Sequence, residues 1–261
     1  MIASDLDGTL FNNQLQLPDS LTSILKDLKE KDIHFATASG RNWATQKEFF
    51  QEHLNEITFI CDNGAFIVQN QKPIFISEIS HTLWISAVNK CATYGDDCRA
   101  ILCGVNGTYI LEYRNNPELC SIVNHFYKCL TVVPNFQNIQ DCIFKISICY
   151  TRGTGGDFLQ DFFDTYSDQA NVLRTHTFFM DIMNHGISKG SGLQIIQNQL
   201  NILPSETVVF GDFENDISLF EQAEYTFLME NAPTTLRKYV KYIAPSNEEE
   251  GVTEIIKQYI L

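Results

Sequence analysis

Asp5 and Asp7 stand one residue apart in the run Asp5-Leu6-Asp7-Gly8-Thr9, directly after the short Met1–Ser4 stretch. On an extended chain two side chains at this spacing share a face, so both carboxylates are expected to point the same way. Held close, they repel unless a cation sits between them. A second acidic run, Gly211-Asp212-Phe213-Glu214-Asn215-Asp216, follows the apolar Val208-Val209-Phe210. Carboxylates at the ends of two buried strands suit a hard divalent cation such as Mg2+. Ser39-Gly40-Arg41 follows a strand-like stretch and precedes a helix, where a hydroxyl and free backbone N–H groups seat an anion. Lys189, in Ser188-Lys189-Gly190, occupies a similar junction. Each stretch alone has a plainer reading: an Asp-Gly turn, a Ser N-cap, a surface lysine, an Asx-rich loop capping a helix. Together they describe one site for a cation and an anion.

Other motifs carry less. Gly186-Ile187-Ser188-Lys189-Gly190 fits the serine-hydrolase pattern G-x-S-x-G, which needs an acid and then a histidine later in the chain. The six histidines are His34, His53, His81, His125, His176 and His185, all before Ser188. No G-x-x-x-x-G-K-[ST] occurs, and Gly153-Thr154-Gly155-Gly156 reads as a turn before a helix. Eighteen Lys and Arg against 32 Asp and Glu leave the 261-residue chain at −14. That surface repels nucleic acid and anionic membranes but admits a small anion held locally. No apolar run approaches the roughly 20 residues of a membrane span, and the N-terminus lacks a basic leader, so a cytoplasmic protein is expected. The eight cysteines form no C-x-x-C pair and read as reduced, mostly buried thiols.

These residues need elements to position them. Residues 1–6 read as a strand, 19–31 as a helix, 33–38 as a buried strand, 42–52 as a helix and 58–61 as a strand. Strands alternating with helices argue for a parallel sheet with helices on its faces. The pattern changes at 65–77, a hairpin turning at Asn70-Gln71-Lys72. Beyond it come a helix at 81–94, strands at 98–103 and 107–113, a helix near 117–129 and a strand at 142–150. A further helix at 157–167 and strands at 170–175 and 177–183 complete an α+β module with an antiparallel sheet. On the 142–150 strand, Lys145 reads as a surface residue; Asn184 and His185 read as a hinge. Alternation resumes with a helix at 190–201, a strand at 206–211, a short helix at 215–222 and a strand at 225–229. The tail holds a helix, a strand near 242–244 and a closing helix. The expected organisation is 1–79 and 187–261 as one α/β domain, interrupted by an α+β insertion at 80–186.

The four stretches, in this order and spacing, resemble the haloacid dehalogenase superfamily, and within it the Cof-type, sugar-phosphatase-like branch. Asp5–Thr9 matches the first motif, Ser39 the second (where Thr is more usual), Lys189 the third and Gly211–Asp216 the fourth. Asn63-Gly64-Ala65, Asn231-Ala232 and Glu250-Gly251-Val252 are similar to landmarks of that branch. The resemblance spans essentially the whole chain. It implies a Rossmann-like doubly wound parallel sheet with an inserted C2B-type cap.

It also implies roles. Asp5 would be the nucleophile, forming an aspartyl-phosphate. Asp7 would protonate the leaving oxygen and then deprotonate water. Mg2+ would be held by the Asp5 carboxylate, the Asp7 backbone carbonyl and Asp212. Leu6 and Gly40 amides, Ser39, Lys189 and Asn215 would bind phosphoryl oxygens. Asp216 would orient Lys189 or a metal-bound water, and Thr9 would fix the loop. The implied enzyme is a Mg2+-dependent phosphatase acting on a small phosphorylated metabolite, with specificity in the cap, working as a monomer or weak homodimer. A phosphohexomutase of the same superfamily and a non-catalytic Mg2+-binding regulatory protein remain the alternatives.

Overall fold

The computed structural model describes residues 1–127 and 129–261. The chain begins with β1 (Ile2–Ser4), a tight turn over Leu6–Leu10, α1 (Leu21–Glu30), β2 (Phe35–Ala38), α2 (Trp43–Phe49) and β3 (Ile57–Cys61). A sharp turn at Asp62–Gly64 leads to the hairpin β4 (Phe66–Gln69) and β5 (Lys72–Ile76). Next come α3 (His81–Ala92), β6 (Cys98–Gly104), β7 (Thr108–Ile110), α4 (Pro117–Phe126), β8 (Thr131–Val132) and β9 (Ile143–Tyr150). They are followed by α5 (Gly156–Tyr166), β10 (Ala170–Arg174) and β11 (Phe179–Asn184). The last part carries α6 (Lys189–Leu200), β12 (Val208–Gly211), α7 (Ile217–Phe220), β13 (Tyr225–Met229), β14 (Tyr242–Ala244) and α8 (Gly251–Tyr259).

Two compact units result: Met1–Phe75 with Ser188–Leu261, and Ile76–Ile187. The first is an eight-stranded sheet in the order β14-β13-β12-β1-β2-β3-β4-β5, parallel from β14 to β3 and antiparallel at β3–β4. β1 connects onward to β2 on one side and lies against β12 on the other. The strand order therefore reverses there, and open α/β sheets bind ligands at the carboxyl ends of strands flanking such a reversal. Small residues let α6 lie close on this sheet: Leu193 and Ile196 pack with Ala3, Ala36, Ala38 and Ile60.

The second unit is a six-stranded sheet in the order β10-β11-β9-β6-β7-β8, antiparallel apart from β7–β8. Its alternating strands bury both faces. Trp84 and Ala87 of α3 and Phe158 and Phe162 of α5 cover Ala100, Leu102, Ile146, Ile148 and Ile182. Leu119 and Val123 of α4 cover Ile101, Cys149 and Phe179. All eight cysteines are free thiols, five of them buried.

Several expectations needed correction. The first strand ends at Ser4, because Leu6, Leu10 and Phe11 are buried only if the chain turns there. Lys145 lies inside, 3% exposed, with Nζ 3.7 Å from Asp181 Oδ2. Covered on both faces, β9 has no solvent-facing side for it. The helix expected at 117–129 ends at Phe126, and position 128 lies outside the described residues. β8 is only two residues long and has no periodicity to read. Asn184 Nδ2 donates to Ser77 Oγ and to the Glu78 carbonyl, tying the two segments that enter and leave the second unit.

Candidate active site

The carboxyl ends of β1 and β12 bring Asp5 and Asp212 together, and the turn after β12 folds Asp216 back beside them. One carboxylate oxygen from each of the three lies within 4.8 Å of the others. Lys189 enters this cluster from the first turn of α6. Its Nζ donates to Asp5 Oδ1 and to Asp216 Oδ1, each at 2.7 Å. Lys189 is 1% exposed, Asp5 5% and Asp216 0%. The lysine is placed by the helix start: Ser188 and Ser191 form a reciprocal capping box that fixes where α6 begins. Asp216 Oδ2 accepts from the backbone N–H groups of Asp212 and Phe213, so this side chain shapes the 212–216 turn while holding Lys189. Thr9 Oγ1 donates to Asp212 Oδ1 at 3.1 Å. Gly8, at φ +74°, passes so close that a Cβ there would stand 2.4 Å from Asp212 Oδ2.

Charge in the cluster does not balance. Burial pushes the Asp5 carboxyl well above its usual range; Lys189 opposes this, but Asp216 and Asp212 add to it. Burial, then Asp216, pushes Asp212 up to about 6. Burial alone would lower Lys189, yet Asp216 and Asp5 outweigh it and hold the ammonium above its ordinary value. One lysine thus faces three carboxyl groups, and burial with mutual repulsion pushes Asp5 and Asp212 toward holding a proton. A hard cation between them would relieve that repulsion. Asp216 has both oxygens engaged by Lys189 and backbone, which leaves the carboxylates of Asp5 and Asp212 as oxygen donors.

A second layer comes from the loops after β2 and β3. Asp62 N–H donates to the Arg41 carbonyl and Asn63 N–H to the Ser39 carbonyl, stitching the loops together. Ser39 Oγ accepts from Arg41 N–H at 3.1 Å. Asn215 Nδ2 donates to Asn63 Oδ1 at 3.1 Å, joining this layer to the β12 turn. Asn231 Nδ2 donates to the Gly8 carbonyl and Asn231 Oδ1 accepts from Asn247 N–H, which steadies the Asp5–Thr9 turn from behind.

Asp7 departs from the expectation that it points with Asp5. Asp5 faces the buried cluster, whereas the Asp7 side chain is 47% exposed and paired with Arg41. The strand geometry behind that expectation ends at Ser4, so the alternation rule no longer applies at position 7. Arg41 and Asn63 were absent from the sequence-derived site. Arg41 sits two residues after Ser39, and only its fork-shaped contact with Asp7 singles it out. Asn63 was visible as part of a landmark without a stated task.

Known proteins resemble this chain along nearly its whole length. Residues 2–256 match the haloacid dehalogenase-like hydrolase family. The 5-amino-6-(5-phospho-D-ribitylamino)uracil phosphatase YbjI of Escherichia coli (strain K12) is 30% identical over 261 residues, covering 100% of this chain and 96% of that protein. The crystal structure of SMU.1108c from Streptococcus mutans UA159 superposes with TM-score 0.88 at 25% identity, covering 99% of this chain and 98% of the other. The HAD subclass IIB sugar phosphatase BT4131 shares the fold, with TM-score 0.81, 20% identity and coverage of 99% and 98%. The chain belongs to the haloacid dehalogenase-like hydrolases.

Proposed function

We propose that the protein is a Mg2+-dependent phosphatase that hydrolyses small phosphate monoesters of sugars or polyols through an aspartyl-phosphate at Asp5. The observation that carries this reading is the buried Asp5–Lys189–Asp216 bridge beside Asp212. It combines a fixed carboxylate, a fixed ammonium and a donor set for a hard cation within one cluster. The YbjI phosphatase acts on a phosphorylated ribityl compound by its name, which supports a polyol phosphate as the class to try first.

In this reading Lys189 orients the Asp5 carboxylate through Oδ1. A carboxylate oxygen of Asp5 bonds to phosphorus while the bond from phosphorus to the leaving oxygen breaks, and Asp7 gives that oxygen its proton. Water then attacks phosphorus and loses a proton to Asp7. The acyl–phosphate bond breaks, releasing inorganic phosphate and restoring the Asp5 carboxylate. Asp5, Asp212 and the Asp7 backbone carbonyl would hold Mg2+, which when bound neutralises charge between nucleophile and phosphate. Ser39, the Leu6 and Gly40 amides, Lys189 and Asn215 donate to the phosphoryl oxygens.

The purified protein is expected to release phosphate from p-nitrophenyl phosphate and from a polyol phosphate in Mg2+, to stop after exhaustive chelation, and to recover on Mg2+ addition. Asp5→Asn should drop turnover by several orders of magnitude, as for a lost nucleophile. Full activity in the chelated protein sinks the metal assignment. Normal turnover in Asp5→Asn sinks the covalent route. Hexose 1-phosphate converted to hexose 6-phosphate without free phosphate would point to a mutase.

A further inference from the structure

We propose that Arg41 is the positioning residue of Asp7, a role that rests on the acid–base reading of Asp7 above. Arg41 Nε donates to Asp7 Oδ2 at 2.8 Å and Nη2 to Asp7 Oδ1 at 2.6 Å. This fork-on-carboxylate contact fixes the plane of the Asp7 carboxylate as well as its place. The arginine is itself held. Its guanidinium lies over the rings of Phe49 and Phe11, with Cζ 5.4 and 5.8 Å from their centroids, and the two rings pack 4.6 Å apart. Its backbone is held on three sides: N–H donates to Ser39 Oγ, and the carbonyl accepts from Asp62 N–H and Gln46 Nε2.

Asp7 needs such an anchor. It is followed by Gly8 at φ +74° and stands two residues from Asp5, whose surroundings include the buried ammonium of Lys189. The glycine beside it leaves the turn's own backbone little hold on the side chain, and Arg41 is the group that fixes the Asp7 carboxylate in place. The pair is 25% and 47% exposed, so its worth to folding is small. Its bidentate geometry and the aromatic shelf under it are what a positioning device requires. Nε and Nη2 are both spent on Asp7 and one face on the rings, which argues against substrate capture as the main task.

Phenyl phosphate has a poorer leaving group than p-nitrophenyl phosphate and leans harder on a placed acid. Arg41→Gln is therefore expected to lower kcat on phenyl phosphate about 10- to 100-fold, and on p-nitrophenyl phosphate less, with KM within about threefold on both. Rapid quench of Arg41→Gln with p-nitrophenyl phosphate should show aspartyl-phosphate accumulating, because the water-activating group is misplaced. Arg41→Lys should recover only part of the loss, since an ammonium cannot form the fork. Phe49→Leu should give a smaller loss of the same kind. In an Asp7→Asn background, Arg41→Gln should cost nothing further, as expected for two residues acting through one contact. Equal losses on both substrates without accumulation, a raised KM at unchanged kcat, or an additive loss in the Asp7→Asn background would each overturn the assignment. If Arg41→Gln does not fold, Arg41→Lys and Phe49→Leu carry the same comparison. Turnover that survives Asp5→Asn instead overturns the covalent reading itself, and the Arg41 role with it.

Discussion

At Gly64 the backbone runs at φ +99°, the third residue in a row with positive φ after Asp62 and Asn63. A Cβ at Gly64 would stand 2.1 Å from the Ser188 carbonyl oxygen, one residue before Lys189. The glycine therefore sets how closely the β3 turn approaches the start of α6. Gly64→Ala has nowhere to relax: the left-handed backbone is strained for a side chain, and the obstacle is another backbone. We expect it to destabilise the protein by about 2 kcal/mol or more and to lower turnover by displacing Lys189. Chemical denaturation and p-nitrophenyl phosphate hydrolysis measure the two effects, and a variant matching the parent in both would contradict this account. The run Asn63-Gly64-Ala65 stood out in the sequence only by resemblance. Its physical reason lies in a partner 124 positions later along the chain, which no local pattern announces. Asp5, Asp212, Lys189 and Asp216 were nameable because each follows a strand or opens a helix. Arg41 was not, because its task is defined by the rotamer of Asp7.

Among the elements, those with a long apolar period were legible and those shaped by contacts were not. Leu21, Ile24, Leu25 and Leu28 mark one face of α1, and all four are buried. The turn at Asn70–Gln71 joins β4 and β5, both residues taking positive φ, as a tight two-residue hairpin turn demands. By contrast, the tail segment expected as a helix is only a short tight-wound stretch at Thr234–Tyr239. The element that matters most to the site is α6, since its first residue is Lys189. Ser188 Oγ accepts from Ser191 N–H, and Ser191 Oγ accepts from Ser188 N–H. Ser188→Ala removes one half of this box and should cost about 1 kcal/mol. The same change loosens the first turn, so turnover should fall further than the stability loss at saturating Mg2+ would account for. Urea titration beside steady-state kinetics separates the two. A full loss of stability with unchanged kcat would mean that Lys189 is held by its two carboxylates alone.

For the molecule as a whole, the question is whether Ile76–Ile187 is a lodger or a structural necessity. Every residue assigned to the chemistry, from Asp5 to Asp216, lies in the other unit. The inserted unit has cores on both faces of its own sheet. Its ends are tied to its own body: Ile79 N–H donates to the Ile143 carbonyl, Asn184 Nδ2 to Ser77 Oγ, and Asn171 Nδ2 to the Ile187 carbonyl. A unit whose termini are bound locally and whose core is closed is expected to fold alone. The protein has two tryptophans, and they fall one to each unit, Trp43 in the first and Trp84 in the second. Expressed by itself, 76–187 should therefore give a cooperative thermal transition reported by the buried Trp84. The complementary protein, with a short Gly-Ser linker in place of 76–187, should keep the Asp5–Lys189–Asp216 bridge and hydrolyse p-nitrophenyl phosphate in Mg2+. If specificity resides in the insertion, as the family resemblance implies, this linker protein should lose its ranking among sugar and polyol phosphates. A broad, non-cooperative melt of 76–187 would show that its core leans on the first unit. A linker protein that folds and ranks substrates as the parent does would put specificity in the first unit, beside Asp5.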